Sequence, residues 1–289
     1  MNILRTFDLQ TNKKGMVDIC ILTYRRLEFT KYVFEGLFKH TDFDIVEKIV
    51  VVHDYPDKEN TEYLLGQCYR LRDLGVSVIY VETRNRAVVP GFKYAMGLSK
   101  AKYFLKNDND VVPGERWLNC LVGCMESYPE LVLLGYTKLW PDDFPKEKIV
   151  MKDILDYGYL ECTKKRLTGA VKANTDVDPP NMRTHVGGHM IMDMDRVRPE
   201  VHRMKNMGRF LGWSDFQLGA VKPLGKVGWY FPTIKGMLYL DKLKDREVFE
   251  EAGLDFDELC SLVNRYNKLG WTKQKLNAAL ERTTKVSVR

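Results

Sequence analysis

The chain has 289 residues, of which 45% are hydrophobic, and its 45 basic and 39 acidic residues give a net charge of +6. This length accommodates one large α/β domain or two smaller ones, and the hydrophobic fraction excludes a chain without a packed core. The sequence contains no run of about 18 apolar residues, and residues 1–15 are too polar for a secretory signal, so we expect no membrane span and a cytoplasmic protein. Six cysteines without a CxxC pair predict reduced thiols and exclude a zinc knuckle or a disulfide framework.

Strands and helices alternate through the first half of the chain. Residues 17–23 are an apolar run typical of a strand, and residues 27–40 follow with apolar side chains at helical spacing. The same pattern then predicts strands at 48–52, at 76–81, ending at 108 and at 131–136, with helices at 59–74, 90–101 and 114–128. Five strands alternating with helices predict a mostly parallel sheet covered by helices on both faces. Ligands of such sheets bind beyond the carboxyl ends of the strands.

The second half of the chain is less regular. Residues 138–183 are rich in Pro, Asp and Lys, which is typical of a lid, a binding loop or a disordered segment. Regular pattern resumes at 187–192, with a helix predicted near 195–207 and a last strand at 226–231. From about residue 241 the spacing of apolar residues predicts helix.

Two carboxylates separated by one residue follow the fourth predicted strand. The apolar run from Tyr103 to Val112 would deliver Asp108 and Asp110 to the carboxyl edge of the sheet, and strand alternation would direct both to one side. Such a pair can hold a hard divalent cation that also binds phosphate oxygens. Asp and Asn also end strands simply as turn formers, and the motif alone does not separate the two interpretations. Asp54 ends the second strand at the same edge, which favours a site.

The ordered series of motifs between Val17 and Pro232 resembles the GT-A fold glycosyltransferases, most closely the family-2 type that uses nucleotide-diphospho-sugars. The segment 22–26 is similar to the family's polar turn after the first strand, although Arg25 stands where Asn is usual. The segment 51–57 is similar to the family's Val-Asp-Asp-Gly-Ser segment but lacks its Gly-Ser. Asp108-Asn109-Asp110 corresponds to the family's Asp-x-Asp motif, and Ser214-Asp215 to its Glu-Asp motif.

The resemblance implies a complete site. Mn²⁺ or Mg²⁺ would bind Asp108 and Asp110, with His189, or alternatively His185, as an added ligand. Asp215 would be the catalytic base, because Ser214 replaces the first acid of the motif. The residues implied to contact the nucleotide sugar are Thr23, Tyr24, Arg26, Asp54, Arg84, Asn85, Lys106, Asp108, Asn109, Gly187, Gly188 and Trp213. Ordinary structural roles remain as alternatives: a helix cap for Asp215, packed rings for the histidines and for Trp213, and a tight turn for the glycines.

The expected activity is metal-dependent, inverting transfer of a sugar from a nucleotide-diphosphate donor of UDP type to an acceptor hydroxyl. The acceptor is left open between a glycan, a lipid and a hydroxymethylated DNA base. We expect a GT-A domain over residues 1–236, with a nucleotide-binding half at 17–137 and an acceptor half at 138–236, and a helical extension over 237–289.

Two alternatives to a glycosyltransferase are kept. A sugar-phosphate nucleotidyltransferase also uses a doubly wound sheet and a metal, but it should carry a Gly-rich phosphate loop after the first strand, which residues 23–27 lack. A non-catalytic nucleotide-sugar-binding protein is favoured by Ser214, which replaces an acid of the motif.

Overall fold

The computed structural model describes residues 3–12, 14–84, 88–136, 160–161, 189–204, 216–230, 237–239, 250 and 253–268. The strands are β1 Ile3–Leu9, β2 Val17–Thr23, β3 Val46–Asp54, β4 Ser77–Thr83, β5 Tyr103–Asp108, β6 Val111–Pro113, β7 Leu131–Tyr136, β8 Leu160–Glu161, β9 Met190–Asp193, β10 Lys226–Tyr230 and β11 Met237–Tyr239. The helices are α1 Leu27–His40, α2 Lys58–Asp73, α3 Val88–Leu98, α4 Trp117–Ser127, α5 Met194–Val197 and α6 Phe256–Lys268. Short segments of 3₁₀ or π helix lie at Phe43–Ile45, Arg198–Arg203, Gln217–Val221 and Lys222–Leu224.

The main sheet has the strand order β1-β4-β3-β2-β5-β9-β7-β10-β8. Its centre, β4-β3-β2-β5, is parallel, which confirms the predicted mixed α/β architecture. β9 runs antiparallel between β5 and β7, and β1 adds antiparallel to β4 at the edge. Neither was predicted as a strand, because β9 is too short for periodicity to identify and β1 is largely exposed. β6 follows β5 closely in the chain but pairs with β11, in a separate two-stranded sheet.

The two faces of the sheet bury separate parts of the core. Ile19, Ile21 and Val51 pack on the side of α1, α2 and α4, whereas Val50 and Val52 pack on the side of α3. Successive residues of a strand point to opposite faces, so a strand covered on both sides reads as a continuous apolar run. This is why the central strands were predictable from the sequence.

Helix boundaries differ from the predictions where proline intervenes. The helix predicted near 195–207 is α5 followed by a 3₁₀ turn, because Pro199 has no N–H to continue the α-helical hydrogen bonds. α3 begins at Val88, so that Pro90 lies in its first turn, where the missing N–H is not needed.

The last helix that the structure describes, α6, packs on α1. Leu259 and Leu262 of α6 are buried against Phe29 and Val33 of α1. The division of the chain at residue 236 stays a prediction. Within the described part of the chain, no helix has the length and apolar character needed to cross a membrane.

Candidate functional site

The two acidic residues of the Asp-x-Asp sequence lie in different backbone settings. β5 ends at Asp108, and Asn109 and Asp110 form a turn before β6 begins at Val111. Asp110 therefore lies outside the strand, so strand alternation, from which we expected both carboxylates on one side, does not apply to it. Asn and Asp favour turns, since their short side chains hydrogen-bond to nearby backbone groups. Both carboxylates still lie at the carboxyl edge of the sheet, as predicted.

Two buried asparagines hold this turn. The Asn109 amide donates hydrogen bonds to the Arg25 carbonyl and to the Thr30 hydroxyl, both at 3.2 Å, and the residue is only 4% exposed. Asn107 donates across the turn to the carbonyl of Val111 at 3.1 Å. Buried polar groups normally satisfy their hydrogen bonds in this way. The structure thus directs the Asn109 amide inward, where it ties the Asp-x-Asp turn to the loop after β2.

Each carboxylate of the Asp-x-Asp sequence faces a cation. Arg26 Nη2 lies 3.3 Å from Asp110 Oδ2, with the two side chains 27% and 16% exposed. Lys106 forms an ion pair with Asp108, and its side chain is only 5% exposed while that of Asp108 is 28% exposed. Charged side chains are rarely buried unless they are paired. The sequence-predicted residues Arg26, Lys106, Asp108 and Asp110 therefore meet at one edge of the sheet.

The loop after β2 has an unusual backbone. Arg25 and Arg26 have φ angles of 50° and 52°, in the left-handed region that side chains other than glycine seldom adopt. The Arg26 carbonyl accepts a hydrogen bond of 3.2 Å from the Thr30 hydroxyl in the first turn of α1. Thr23, which was predicted to contact the nucleotide sugar, is buried and donates its hydroxyl to the Val52 carbonyl at 3.2 Å. Non-glycine residues in such conformations concentrate at functional sites, which marks this loop as a candidate.

The end of β3 lies beside this loop. Tyr24 contacts Tyr55 edge-on, with ring centroids 5.9 Å apart. Asp54 accepts a hydrogen bond of 3.0 Å from the Thr83 hydroxyl at the end of β4, and Arg84 follows as an exposed residue. Four predicted residues from three neighbouring strands, namely Tyr24, Arg26, Asp54 and Arg84, are thus placed along one edge.

Tyr55 lies at the same edge, beside Tyr24, and was not among the predicted site residues. Its φ angle is 61°, and it stands where the resembling family segment carries glycine, a residue that adopts this conformation without strain. The glycine at this position of the family segment was the signal that could have predicted the backbone conformation of Tyr55, because a tyrosine by itself does not indicate a left-handed backbone.

A buried hydrogen-bond network begins at His53, the residue before Asp54. The Tyr80 hydroxyl donates to Glu82 Oε1 at 3.0 Å, and His53 Nδ1 lies 2.9 Å from the Tyr80 oxygen. Because the Tyr80 proton goes to Glu82, His53 must donate from Nδ1. Burial lowers the pKa of His53 to about 4, so the ring is neutral at pH 7. Arg5 of the edge strand β1 forms an ion pair with Glu82 and so connects β1 to this network.

His189, the third metal ligand implied by the resemblance, is fully buried. Its ring lies 5.5 Å from the ring of Trp117, and burial, assisted by the charge of Lys106, lowers its pKa well below the ordinary value. A neutral imidazole can bind a metal, but among the described residues no group of three or more His, Cys, Asp or Glu side chains could hold one. The structure therefore does not bring His189 into a three-ligand cluster with Asp108 and Asp110.

Several predicted site residues lie outside the described residues. They are Asn85, Gly187, Gly188, Trp213 and Asp215, together with the alternative ligand His185.

The donor set of the Asp-x-Asp turn fits a divalent cation. Carboxylate oxygens are the ligands that Mg²⁺ and Mn²⁺ prefer, and both carboxylates are partly exposed. Mg²⁺ in proteins is commonly bound by one or two carboxylates together with water and substrate phosphates. Asp108 and Asp110 could supply those two ligands, and phosphate or water oxygens the rest.

Comparison with known proteins supports the fold. No protein-family model and no curated protein matches the sequence. Among solved structures, a mannosyltransferase from Pyrobaculum calidifontis, determined with GDP-mannose and Mn²⁺, matches 97% of this chain and 78% of its own with a TM-score of 0.55 and 12% identity. TarS from S. aureus matches 89% of this chain and 73% of its own with a TM-score of 0.52 and 10% identity. With identities this low, the similarity is one of fold, and the chain has the GT-A fold that its series of motifs predicted.

Proposed function

We propose that the protein is a metal-dependent glycosyltransferase that moves a sugar from a nucleotide-diphosphate donor, of UDP type, to an acceptor hydroxyl. The observation that carries the proposal is the pairing of Asp108 and Asp110 with Lys106 and Arg26 at the carboxyl edge of the sheet. The two carboxylates suit a divalent metal ion, and the two cationic side chains suit phosphate oxygens. Side by side, they suit a diphosphate that carries a bound metal ion. The mannosyltransferase of similar fold was determined with GDP-mannose and Mn²⁺, which supports the same donor class.

The leaving diphosphate gains negative charge as the glycosidic bond breaks. A bound Mn²⁺ or Mg²⁺ would supply Lewis-acid stabilisation of that charge. Asp108 and Asp110 would hold the cation, and Arg26 and Arg84 would pair with phosphate oxygens. Asp54 and Tyr24, at the ends of neighbouring strands, would contact the nucleoside. The buried Lys106 would keep the Asp108 carboxylate in place.

The acceptor hydroxyl must lose a proton as it attacks. In our proposal Asp215 takes this proton. An inverting transfer would require this base and the diphosphate to be on opposite sides of the sugar. The glycine pair Gly187-Gly188, Asn85 and Trp213 would approach the donor sugar and diphosphate. His189 stays proposed as an additional ligand in the cation-bound protein.

Donor binding and turnover test the proposal. Purified protein with Mn²⁺ should bind one or more of UDP-glucose, UDP-N-acetylglucosamine and GDP-mannose, and should slowly release the nucleoside diphosphate. Asp110→Ala should abolish metal-dependent donor binding, whereas Asp215→Ala should spare binding and reduce transfer by at least about a hundredfold, as expected for loss of a general base. Asp73→Ala is the matched control, because Asp73 ends α2, is exposed and pairs with Arg72.

Two outcomes would contradict the proposal. If no nucleotide sugar is bound with or without Mn²⁺, the donor assignment fails. If donors bind but no acceptor among glycans, lipids and hydroxymethylated DNA is modified, the non-catalytic alternative is preferred. A sugar-phosphate nucleotidyltransferase would instead form a nucleotide sugar from a nucleoside triphosphate and a sugar phosphate, which the same product analysis detects.

A further inference from the structure

The formal charges at the Asp-x-Asp turn are balanced without a metal. Among the residues that the structure describes, Asp108 faces Lys106 and Asp110 faces Arg26, so these two carboxylates each meet a cation. A protein site that binds a divalent cation tightly by itself usually presents an excess of carboxylates. A divalent cation arriving alone must here compete with groups of the chain for both of its ligands.

The two ion pairs differ in their freedom to open. Lys106 lies within β5 and its side chain is only 5% exposed, so moving it away from Asp108 would require a rearrangement of the buried part of the sheet. Arg26 lies in the loop before α1, is 27% exposed, and approaches Asp110 at 3.3 Å. Charge-assisted hydrogen bonds are strongest at donor–acceptor distances of about 2.7–2.9 Å, and the Arg26–Asp110 distance is longer than this. The Arg26–Asp110 pair is therefore the one that can exchange partners.

A diphosphate is a better partner for the Arg26 guanidinium than a single carboxylate. Its oxygens accept two parallel hydrogen bonds from the guanidinium and carry more negative charge. Once Arg26 turns to phosphate, the Asp110 carboxylate is released to a cation that the same phosphate oxygens also bind. Each ligand then raises the affinity of the site for the other, because thermodynamic coupling between two ligands is reciprocal.

We propose that Arg26 competes with the divalent cation for Asp110, so that the cation binds tightly only together with the nucleoside diphosphate. The inference rests on the proposed function for the identity of the second ligand. The competition itself does not, since it concerns Arg26, Asp110 and the cation alone. Arg26 acts here as a positioning residue that prevents the site from filling with metal before the donor arrives.

Titration of the free Mn²⁺ electron paramagnetic resonance signal tests the competition directly. The parent protein should bind Mn²⁺ weakly alone and at least about fivefold more tightly with saturating UDP or GDP. Arg26→Gln should bind Mn²⁺ alone roughly two- to fivefold more tightly than the parent, the factor expected for removing a partly exposed competing ion pair. The same variant should bind UDP or GDP more weakly, and its coupling between metal and nucleotide should shrink.

Arg25→Gln is the matched control, because Arg25 precedes Arg26 with a similar φ of 50° and its guanidinium lies over the Tyr24 ring. It should leave the affinity for Mn²⁺ alone unchanged. Arg26→Lys keeps the charge and should keep Mn²⁺ binding weak, which gives a second test if Arg26→Gln does not fold. Circular dichroism checks folding in each case.

The outcomes separate the inference from the proposed function. Unchanged Mn²⁺ affinity in Arg26→Gln, with parental coupling to UDP or GDP, would overturn the competition while leaving the donor assignment intact. Tighter Mn²⁺ binding by Arg26→Gln, with no nucleotide binding by any variant, would support the competition and refute the donor assignment.

Discussion

The buried His53 makes a specific prediction about acid stability. Its ordinary pKa of 6.5 falls to about 4 in the folded protein, mainly because burial disfavours the charged ring. Since one pKa unit corresponds to about 1.36 kcal/mol, the folded state should lose about 3 kcal/mol from this group once the pH lies below both values. The sign follows from proton binding: between these values the unfolded chain is protonated at His53 and the folded chain is not. Stability therefore decreases as the pH falls from 6.5 towards 4, and the loss from this group is complete below 4.

Denaturant unfolding of the parent and His53→Asn at pH 7.5 and pH 4.5 measures this contribution. The Asn side-chain amide can replace the Nδ1–H that donates to the Tyr80 hydroxyl, but it does not titrate. From linkage, the parent should lose about 2.5 kcal/mol more than the variant between these two pH values. His189, whose pKa is also lowered, contributes with the same sign to both proteins and cancels in the comparison.

A matched control is His40→Asn. Burial also lowers the pKa of His40, but this residue is partly exposed in the last turn of α1, so its substitution should change the pH dependence less. Equal losses of stability in the parent and His53→Asn would refute the assignment of a neutral, buried His53.

Three further substitutions test the packing and the helix cap. Gly36→Ala in α1 should destabilise by about 1–3 kcal/mol, because its Cβ would lie 2.6 Å from Val112 Cγ1 and 2.7 Å from the Pro113 carbonyl oxygen. Gly66→Ala in α2 should instead stabilise by about 0.5–1 kcal/mol, since no atom lies within 4 Å of the new Cβ and alanine favours helix. Asp57→Ala should cost about 1 kcal/mol, because Asp57 caps α2 by accepting from the Asn60 N–H at 3.0 Å. Urea unfolding at pH 7.5 measures all three, and a Gly36→Ala protein as stable as its parent would contradict the close α1–β6 packing.

Local sequence signals were sufficient to predict a strand where both of its faces are buried. β2, β3 and β5 appear as continuous apolar runs, and the polar residues at their ends, Tyr24 after β2, Asp54 in β3 and Asp108 in β5, were correctly placed. The signals failed for β9, whose four residues gain their strand conformation by pairing between β5 and β7.

Contacts within the site were not predictable. The family resemblance implied that Asn109 and Thr23 contact the nucleotide sugar, and this stays a prediction. The structure adds that the Asn109 amide and the Thr23 hydroxyl donate hydrogen bonds to neighbouring backbone carbonyls. A polar residue in a motif can point towards a ligand or into the fold, and residue type is the same in both cases. Partners 84 residues apart in the chain, as for Asn109 and Arg25, leave no local pattern.

The sequence by itself determined the α/β class, the order of the central strands along the chain and the acidic pair Asp108 and Asp110 at a strand end, because each follows from side-chain periodicity and chain order. Only the tertiary structure decided that Asp110 lies in a turn and that Arg26 faces it at 3.3 Å. An ion pair between the loop after β2 and the turn after β5 exists only because β2 and β5 lie side by side in the sheet. Neighbours in a parallel sheet are set by the crossover connections between strands, and sequence periodicity does not record them.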